Sequence, residues 1–138
     1  MICPACGKDA LIVEYENIEL DYCPACGGVW FDAGELELLL EAAGFGTNRS
    51  FLEGIANSPE AKIAEKKRRC PVCRRKMKKV MINEEKKIIT DICIGGHGIW
   101  FDGGEVNSLL KELAEKSPEN AESKRALGFI GDIFKYQK

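Results

Sequence analysis

Seven cysteines and a single histidine are the side chains of this 138-residue chain whose types and spacing could support chemistry. They form two groups along the sequence: Cys3, Cys6, Cys23 and Cys26, and then Cys70, Cys73, Cys93 and His97. An odd number of thiols cannot all pair as disulfides, whereas eight sulfur and nitrogen donors suffice for two four-coordinate metal sites. The residue types therefore favour two zinc ions per chain over a disulfide framework.

The first group has the spacing of a structural zinc site. Cys-Pro-Ala-Cys-Gly occurs at 3–7 and again at 23–27, and each segment can fold as a tight turn, a zinc knuckle, that presents two thiolates. Glycine after the second cysteine lets the backbone curl so that N–H groups point toward sulfur. A hairpin between the two knuckles would bring the four cysteines of the first group to one tetrahedral point.

The second group departs from this pattern at its fourth ligand. Cys70-Pro71-Val72-Cys73 repeats the first knuckle, but Gly96 stands where a cysteine is expected and His97 follows one residue later. An imidazole is longer than a thiol, and the neighbouring glycines give the backbone freedom to adjust, so His97 is the expected fourth ligand. A lone histidine on the surface or in the core is the alternative interpretation.

The chain contains an internal repeat. Trp30-Phe31-Asp32 aligns with Trp100-Phe101-Asp102 at an offset of 70, while the first cysteine pairs align at an offset of 67. Alternating apolar and polar residues predict two strands between the ligand pairs of each copy, and a third strand follows at 29–31 or 99–101. Each Asp-x-Gly-Glu, at 32–35 and 102–105, predicts a capped start to an amphipathic helix.

The expected fold class is a small metal-bound α+β protein. Two zinc ribbons, each a β-hairpin plus a third strand followed by an amphipathic helix, are expected at 1–43 and 70–116. A partly helical linker is expected at 44–69 and a C-terminal helical tail at 117–138, while the relative placement of the ribbons stays open. A unit of roughly 45 residues is near the size at which a core alone rarely suffices, so zinc should be required for folding.

Other side chains have a structural and a functional interpretation. Trp30 and Trp100 are expected in the core between the last ligand and the helix, with stacking on nucleic-acid bases as the alternative. The four carboxylates of the repeated Asp-x-Gly-Glu are expected to cap helices rather than catalyse: Asp32, Glu35, Asp102 and Glu105.

Charge is distributed unevenly, although the formal net charge is only −2. Residues 1–58 carry ten acidic and two basic side chains, whereas residues 62–79 carry ten basic side chains and one acidic. Nine cations around the first knuckle of the second copy are candidate nucleic-acid contacts: Lys66, Lys67, Arg68, Arg69, Arg74, Arg75, Lys76, Lys78 and Lys79. A solvated helix followed by an exposed strand is the alternative explanation of this run.

The run from Cys23 to Leu36, Cys-Pro-Ala-Cys-Gly-Gly-Val-Trp-Phe-Asp-Ala-Gly-Glu-Leu, resembles the transcription-factor-IIB-type zinc-finger family of short prokaryotic proteins. The resemblance covers 3–41 closely and 70–111 with the departure at the fourth ligand. It implies zinc binding by the seven cysteines and no established activity. Nothing in the chain resembles the cyclin-like repeats of the eukaryotic factor.

Three functions follow from these patterns as expectations. The first is a non-catalytic nucleic-acid-binding or transcription-related module that acts through the basic second ribbon. The second is a protein-interaction adaptor, with self-association through the complementary charges of the two ribbons as one form. The third is a rubredoxin-like or thiol redox protein, which a histidine ligand and fully committed thiols disfavour.

Catalysis and membrane contact are not expected. Complete ligand sets leave no open coordination position for hydrolysis, so the chain is predicted to be no enzyme and to have no small-molecule substrate. Short apolar runs and the absence of a signal-peptide pattern predict a cytoplasmic protein without membrane contact.

Overall fold

Six β-strands and a short helix are the named regular elements of the described residues. The computed structural model describes residues 1–15, 17–42, 60–61, 67–83, 88–106 and 108–109. The elements are β1 (Leu11–Tyr15), β2 (Ile18–Tyr22), β3 (Val29–Asp32), α1 (Glu35–Ala42), β4 (Lys78–Asn83), β5 (Ile88–Ile92) and β6 (Gly98–Phe101). In β2 the apolar residues Ile18, Leu20 and Tyr22 are buried and alternate with more exposed acidic residues, as a strand with one covered face requires.

All six strands belong to one antiparallel sheet with the order β1-β2-β3-β6-β5-β4. Each repeat supplies three strands, and the two repeats join through β3 and β6. Trp30 lies opposite Trp100 at the centre of this pair, flanked by Val29 opposite Phe101 and by Phe31 opposite Ile99. An offset of 70 exchanges the two flanking pairs, so the junction has the self-complementary geometry of a two-fold symmetric interface.

The two tryptophans pack across this junction in a reciprocal way. The ring of Trp100 lies so close to Gly28 that a Cβ there would overlap it, and the ring of Trp30 lies equally close to Gly98. Gly28 and Gly98 are themselves equivalent at an offset of 70. Both indoles are buried, with exposures of 1% and 0%, so their core role is the one the structure favours.

The opposite face of the sheet holds the apolar residues that follow the tryptophans. Phe31 and Phe101 meet edge to face, with ring centroids 5.8 Å apart and an interplanar angle of 89°. Helix α1 contacts β2 and β3, and its Leu36 and Leu39 are buried. Residues 105–106 and 108–109 after β6 are also helical, and Val106 is buried there.

The predicted α+β class, in which an amphipathic helix follows each ribbon and a helical linker joins them, is wrong. The described residues form mostly a single six-stranded antiparallel sheet, and α1 is the one helix whose two ends both lie among them. Of the linker, residues 60–61 and 67–69 are described and are not helical, while the rest of it and the tail at 117–138 lie outside the described residues. The physical reason for the continuous sheet is that β3 and β6 satisfy each other's open hydrogen-bonding edges. No helix among the described residues is both long and apolar enough to cross a membrane.

Both tryptophans donate hydrogen bonds to the carboxylates of the Asp-x-Gly-Glu segments. Trp30 Nε1 lies 2.9 Å from Asp32 Oδ1, and Trp100 Nε1 lies 3.1 Å from Asp102 Oδ1. The capping pattern did not predict these contacts. They join side chains two residues apart at the end of β3 and just after β6, so each indole is fixed by its own ribbon.

The carboxylates around the two indoles have different partners in the two ribbons. In the first ribbon, burial, a hydrogen bond to Asp32 and the charge of Asp32 raise the pKa of Glu35 to about 7. Burial and the charge of Asp32 also raise the pKa of Asp21, which lies opposite Trp30. A raised pKa means that the folded protein holds a proton that the unfolded chain would release.

In the second ribbon the carboxylates equivalent to Asp21 and Asp32 are paired with cations. Asp91, which lies opposite Trp100, is paired with Lys79 across β4 and β5 at 2.8 Å, and both side chains are buried. Asp102 is paired with Arg68. The two cations, Lys79 and Arg68, stand at positions where the first ribbon has the uncharged side chains of Ile12 and Met1.

The reciprocal packing predicts a coupling between distant residues. Gly28→Ala should lower stability by about 1–3 kcal/mol, because its Cβ overlaps the indole of Trp100. Trp100→Ala should cost about 3–5 kcal/mol and should remove most of the Gly28→Ala penalty in the double variant, since the overlapping ring is gone. Thermal melts of the zinc-loaded single and double variants measure this.

Gly98→Ala is the matched control for this cycle. Its Cβ would overlap Trp30 and the Phe31 carbonyl rather than Trp100, so its penalty should persist in the Trp100→Ala background. If Trp100→Ala reduced the stability penalties of Gly28→Ala and Gly98→Ala equally, the reciprocal packing of the two indoles would be contradicted.

The Glu35 carboxyl predicts a defined pH dependence. The pKa of Glu35 is raised from 4.5 to about 7 in the folded state. The stability that the protonated Glu35 carboxyl contributes is therefore fully present below pH 4.5 and is lost as the pH rises through 7. Glu35→Gln keeps a donor toward Asp32 at every pH, so its melting temperature relative to the parent should rise between pH 5 and 8. Glu41→Gln, exposed on the same helix, is the control, and an equal rise there would refute the assignment.

Candidate metal centres

The first candidate centre joins the two knuckles of the first ribbon. The thiol sulfurs of Cys3, Cys6, Cys23 and Cys26 all lie within 4.8 Å of one another. Cys3 Sγ is 3.6 Å from Cys26 Sγ, and Cys6 Sγ is 3.5 Å from Cys23 Sγ. A tetrahedron with zinc–sulfur bonds of about 2.3 Å has sulfur–sulfur edges of about 3.8 Å, so the four sulfurs fit a zinc ion with little movement.

Backbone hydrogen bonds shape three of the four knuckles in the same way. The carbonyl of the first cysteine accepts from the N–H four residues later, as in Gly7 to Cys3 at 3.0 Å and Arg74 to Cys70 at 2.9 Å. The N–H of Ala5 also donates to Cys3 Sγ at 3.3 Å. Donors aimed at sulfur stabilise the thiolate, which is the form that binds metal.

The fourth knuckle closes one residue earlier and so accommodates a histidine. Gly96 N–H donates to the Cys93 carbonyl at 3.1 Å, three residues back rather than four. The ligand position therefore moves to the next residue, and His97 Nδ1 lies 3.4 Å from Cys93 Sγ. With Cys73 Sγ 3.6 Å from Cys93 Sγ, the four donor atoms of the second group again lie within 4.8 Å of one another.

These two clusters confirm the prediction of two sites that can each hold one zinc ion. His97 reaches the cluster by a different geometry from the expected one, however. The imidazole was expected to bridge a longer gap by its length, but Nδ1, the ring nitrogen nearer the backbone, is the atom that faces Cys93. The tighter turn, rather than a longer reach, brings the histidine into place.

Each knuckle has one residue in the left-handed backbone region. Three of them are glycines, Gly7, Gly27 and Gly96, with φ between 77° and 80°. In the first knuckle of the second ribbon the residue is Arg74, with φ of 67°. A side chain in this region costs about 1–2 kcal/mol relative to the right-handed conformation, so Arg74 carries strain that its equivalent Gly7 avoids.

Burial and hydrogen bonds act in opposite directions on the pKa values of the ligand thiols. Burial raises the pKa of Cys3 and of Cys70. Burial also acts on Cys93, but hydrogen bonds from His97, Gly95 and Cys73 outweigh it and lower the pKa to about 6. Because zinc binds the thiolate form, loading either site would release protons from thiols whose pKa is raised.

The ligands are part of the hydrophobic core rather than additions to its surface. One buried cluster contains ligands from both sites together with both indoles and a methionine: Cys3, Cys23, Cys70, Cys93, Trp30, Trp100 and Met77. Cys6 is exposed, and Cys26 and Cys73 are half-buried. Each set provides four protein donors, which is the coordination number of a structural zinc site.

The nine cations predicted as nucleic-acid contacts fall into distinct groups. Lys79 is buried in its ion pair with Asp91, so it cannot contact a ligand, and that assignment is corrected. Arg68 is half-buried against Asp102, and Lys67 is exposed but pairs with Glu60 at 2.7 Å. Lys78 is half-buried, Lys66 lies outside the described residues, and the remaining four are exposed: Arg69, Arg74, Arg75 and Lys76.

A cleft between the first knuckles of the two ribbons is a feature that sequence analysis missed. It has a volume of about 590 Å³, and its two walls are segments aligned at an offset of 67. Ile2, Pro4 and Ala5 line one wall, and Arg69, Pro71 and Arg74 line the other. The alignment of the two copies could have identified the equivalent residues of the two walls. Only the β3–β6 junction shows that these residues line the same cleft.

Comparison with known proteins supports the zinc-ribbon interpretation of the first centre. Residues 2–42 match the family described as Transcription factor zinc-finger. No curated protein and no solved structure matches the chain. The second cluster, with three cysteines and a histidine, indicates a second copy that the family match does not include. Residues 2–42 are thus similar to the zinc ribbon of the transcription-factor zinc-finger family.

Proposed function

We propose that this chain is a non-catalytic, zinc-stabilised module that binds nucleic acid through the exposed cations of its second ribbon. The observation that carries the proposal is the set of exposed cations close to the first knuckle of that ribbon: Arg69, Arg74, Arg75 and Lys76. Cations held on a metal-bound turn keep a fixed spacing, and a fixed spacing favours a regularly charged ligand such as a phosphodiester backbone.

Zinc has a structural role in this proposal. Four protein donors per site leave no coordination position for water or substrate, and the donors are shared with the core that contains both indoles. A hydrolytic zinc site would need an open position with a base beside it. The donor sets therefore support a binding module rather than an enzyme.

The acidic first ribbon limits where nucleic acid can lie. Glu14 and Glu19 are exposed on β1 and β2, and their charge opposes phosphate at that edge of the sheet. The expected contact surface is therefore the first knuckle of the second ribbon and the space next to it.

A protein-interaction adaptor is the second candidate function. The edge strand β1 exposes Leu11 and Ile12, the latter with 69% of its surface accessible. Apolar side chains on an open strand edge favour contact with another protein chain. Retention of a protein partner without any nucleic-acid affinity at low salt would favour this candidate.

The two donor sets predict the metal content and its consequence. Protein purified without added metal should contain two zinc ions per chain, and chelation should abolish the cooperative thermal transition, because structural zinc supplies ~10 kcal/mol or more of apparent folding energy. Elemental analysis and circular dichroism measure these outcomes. His97→Ala should reduce the content toward one, whereas two ions retained in that variant would exclude His97 as a ligand.

The exposed cations predict salt-dependent binding. Affinity for a nucleic-acid oligomer, measured by fluorescence anisotropy, should fall steeply as salt rises, because bound phosphates release counterions. Arg75→Glu should weaken binding several-fold and reduce the slope of log K against log salt by about one or more.

Lys8→Glu is the matched control, since Lys8 is exposed and occupies the position in the first ribbon that Arg75 occupies in the second. It should change affinity little. Equal losses in the two variants would point to overall charge rather than to the proposed surface, and no binding at low salt would refute the proposal.

A further inference from the structure

We propose that the cleft between the two first knuckles is a binding site for single-stranded nucleic acid. The inference rests on the proposed function and goes beyond it by naming the place and the form of the ligand. The cleft is bounded by both ribbons and has a volume of about 590 Å³. A contact surface on the second ribbon alone would not need the first.

The two walls differ in chemistry although they are equivalent in the repeat. Ile2, Pro4 and Ala5 give the first wall an apolar surface, and Ile2 is 43% exposed. At the positions equivalent to Ile2 and Gly7, the second wall has Arg69 and Arg74. An apolar wall facing a cationic wall matches a single strand, whose unpaired bases have apolar faces and whose backbone is anionic. In a duplex the base faces are already stacked inside.

Arg74 provides a second, independent argument. Its left-handed backbone makes the turn that glycine makes in the other three knuckles, so the fold does not need an arginine side chain there. Strain retained at such a position points to a use for the side chain. Among the described residues, the Arg74 guanidinium has no ion-pair partner, and it lines the cleft.

The basic wall is also held in position by its own contacts. Arg69 Nη1 donates to the Arg74 carbonyl at 3.0 Å, which fixes the backbone at the strained residue. Arg68 is held by Asp102, and Lys67 by Glu60. The wall is therefore positioned before ligand arrives, and less ordering is required on binding.

The test uses the full zinc-loaded chain and fluorescence anisotropy. A labelled twelve-nucleotide thymidine strand and an RNA strand of matching length should each bind at least tenfold more tightly than a twelve-base-pair duplex. Arg74→Gly should weaken strand binding several-fold, while its melting temperature should be no lower than that of the parent, because the strain is removed. Loss of affinity without loss of stability separates a ligand contact from a structural role.

A second variant tests the apolar wall. Ile2→Glu should reduce strand affinity several-fold, whereas Leu11→Glu, which changes an exposed apolar residue of the same ribbon outside the cleft, should reduce it much less. Both proteins should retain two zinc ions and a cooperative melt.

The outcomes distinguish the two proposals. Equal affinity for strand and duplex, together with unchanged binding by Arg74→Gly and Ile2→Glu, would overturn the cleft site and leave the proposed function standing. No affinity for any nucleic acid at low salt would overturn both. Tighter binding of poly-glutamate than of either strand would assign the cleft to an acidic protein partner and overturn the inference.

Discussion

Tetrahedral coordination of one ion by two knuckles from a single ribbon is the constraint on which this structure depends. Each ribbon is too small to hold a hairpin by apolar burial alone, and closure of the donor set supplies the missing free energy. Since Cys3, Cys23, Cys70 and Cys93 are buried with both indoles, the coordination shells form part of the core. Loss of either ion would therefore disturb packing at the junction as well as the knuckles.

The junction of the ribbons follows from what each leaves unsatisfied. A three-stranded ribbon exposes the outer edge of its third strand and a large indole. Antiparallel pairing of β3 with β6 satisfies the backbone hydrogen bonds of both strand edges. Each indole packs against a glycine of the other copy, Trp100 against Gly28 and Trp30 against Gly98. The same set of contacts is thus made by both ribbons, as at the interface of a two-fold symmetric dimer, but within a single chain.

The parts of the structure that follow from local pattern could be predicted, and those that depend on contacts between the copies could not. The spacing of the cysteines and the alternation of apolar residues are local patterns. They therefore predicted the metal ligands and the strands between them. They could not show that β3 pairs with β6 or that Lys79 lies buried against Asp91, because a run of cations looks the same whether it is solvated or paired. The α+β class was wrong for a related reason, since helical spacing after a strand predicts a short helix such as α1 but says little about the architecture around it.

Divergence of charge on a repeated backbone is the strongest indication that the two halves serve different ends. In the second ribbon Lys79 and Arg68 neutralise the carboxylates near Trp100, whereas in the first Glu35 is stabilised in its protonated form beside Asp32. Both arrangements support the same indole geometry, so stability alone does not require the difference. Arg74 leads to the same conclusion, because glycine would make its turn at lower cost. Two ribbons selected only to hold each other together would have no reason to differ in these ways, whereas a chain that presents one basic wall to an anionic ligand would.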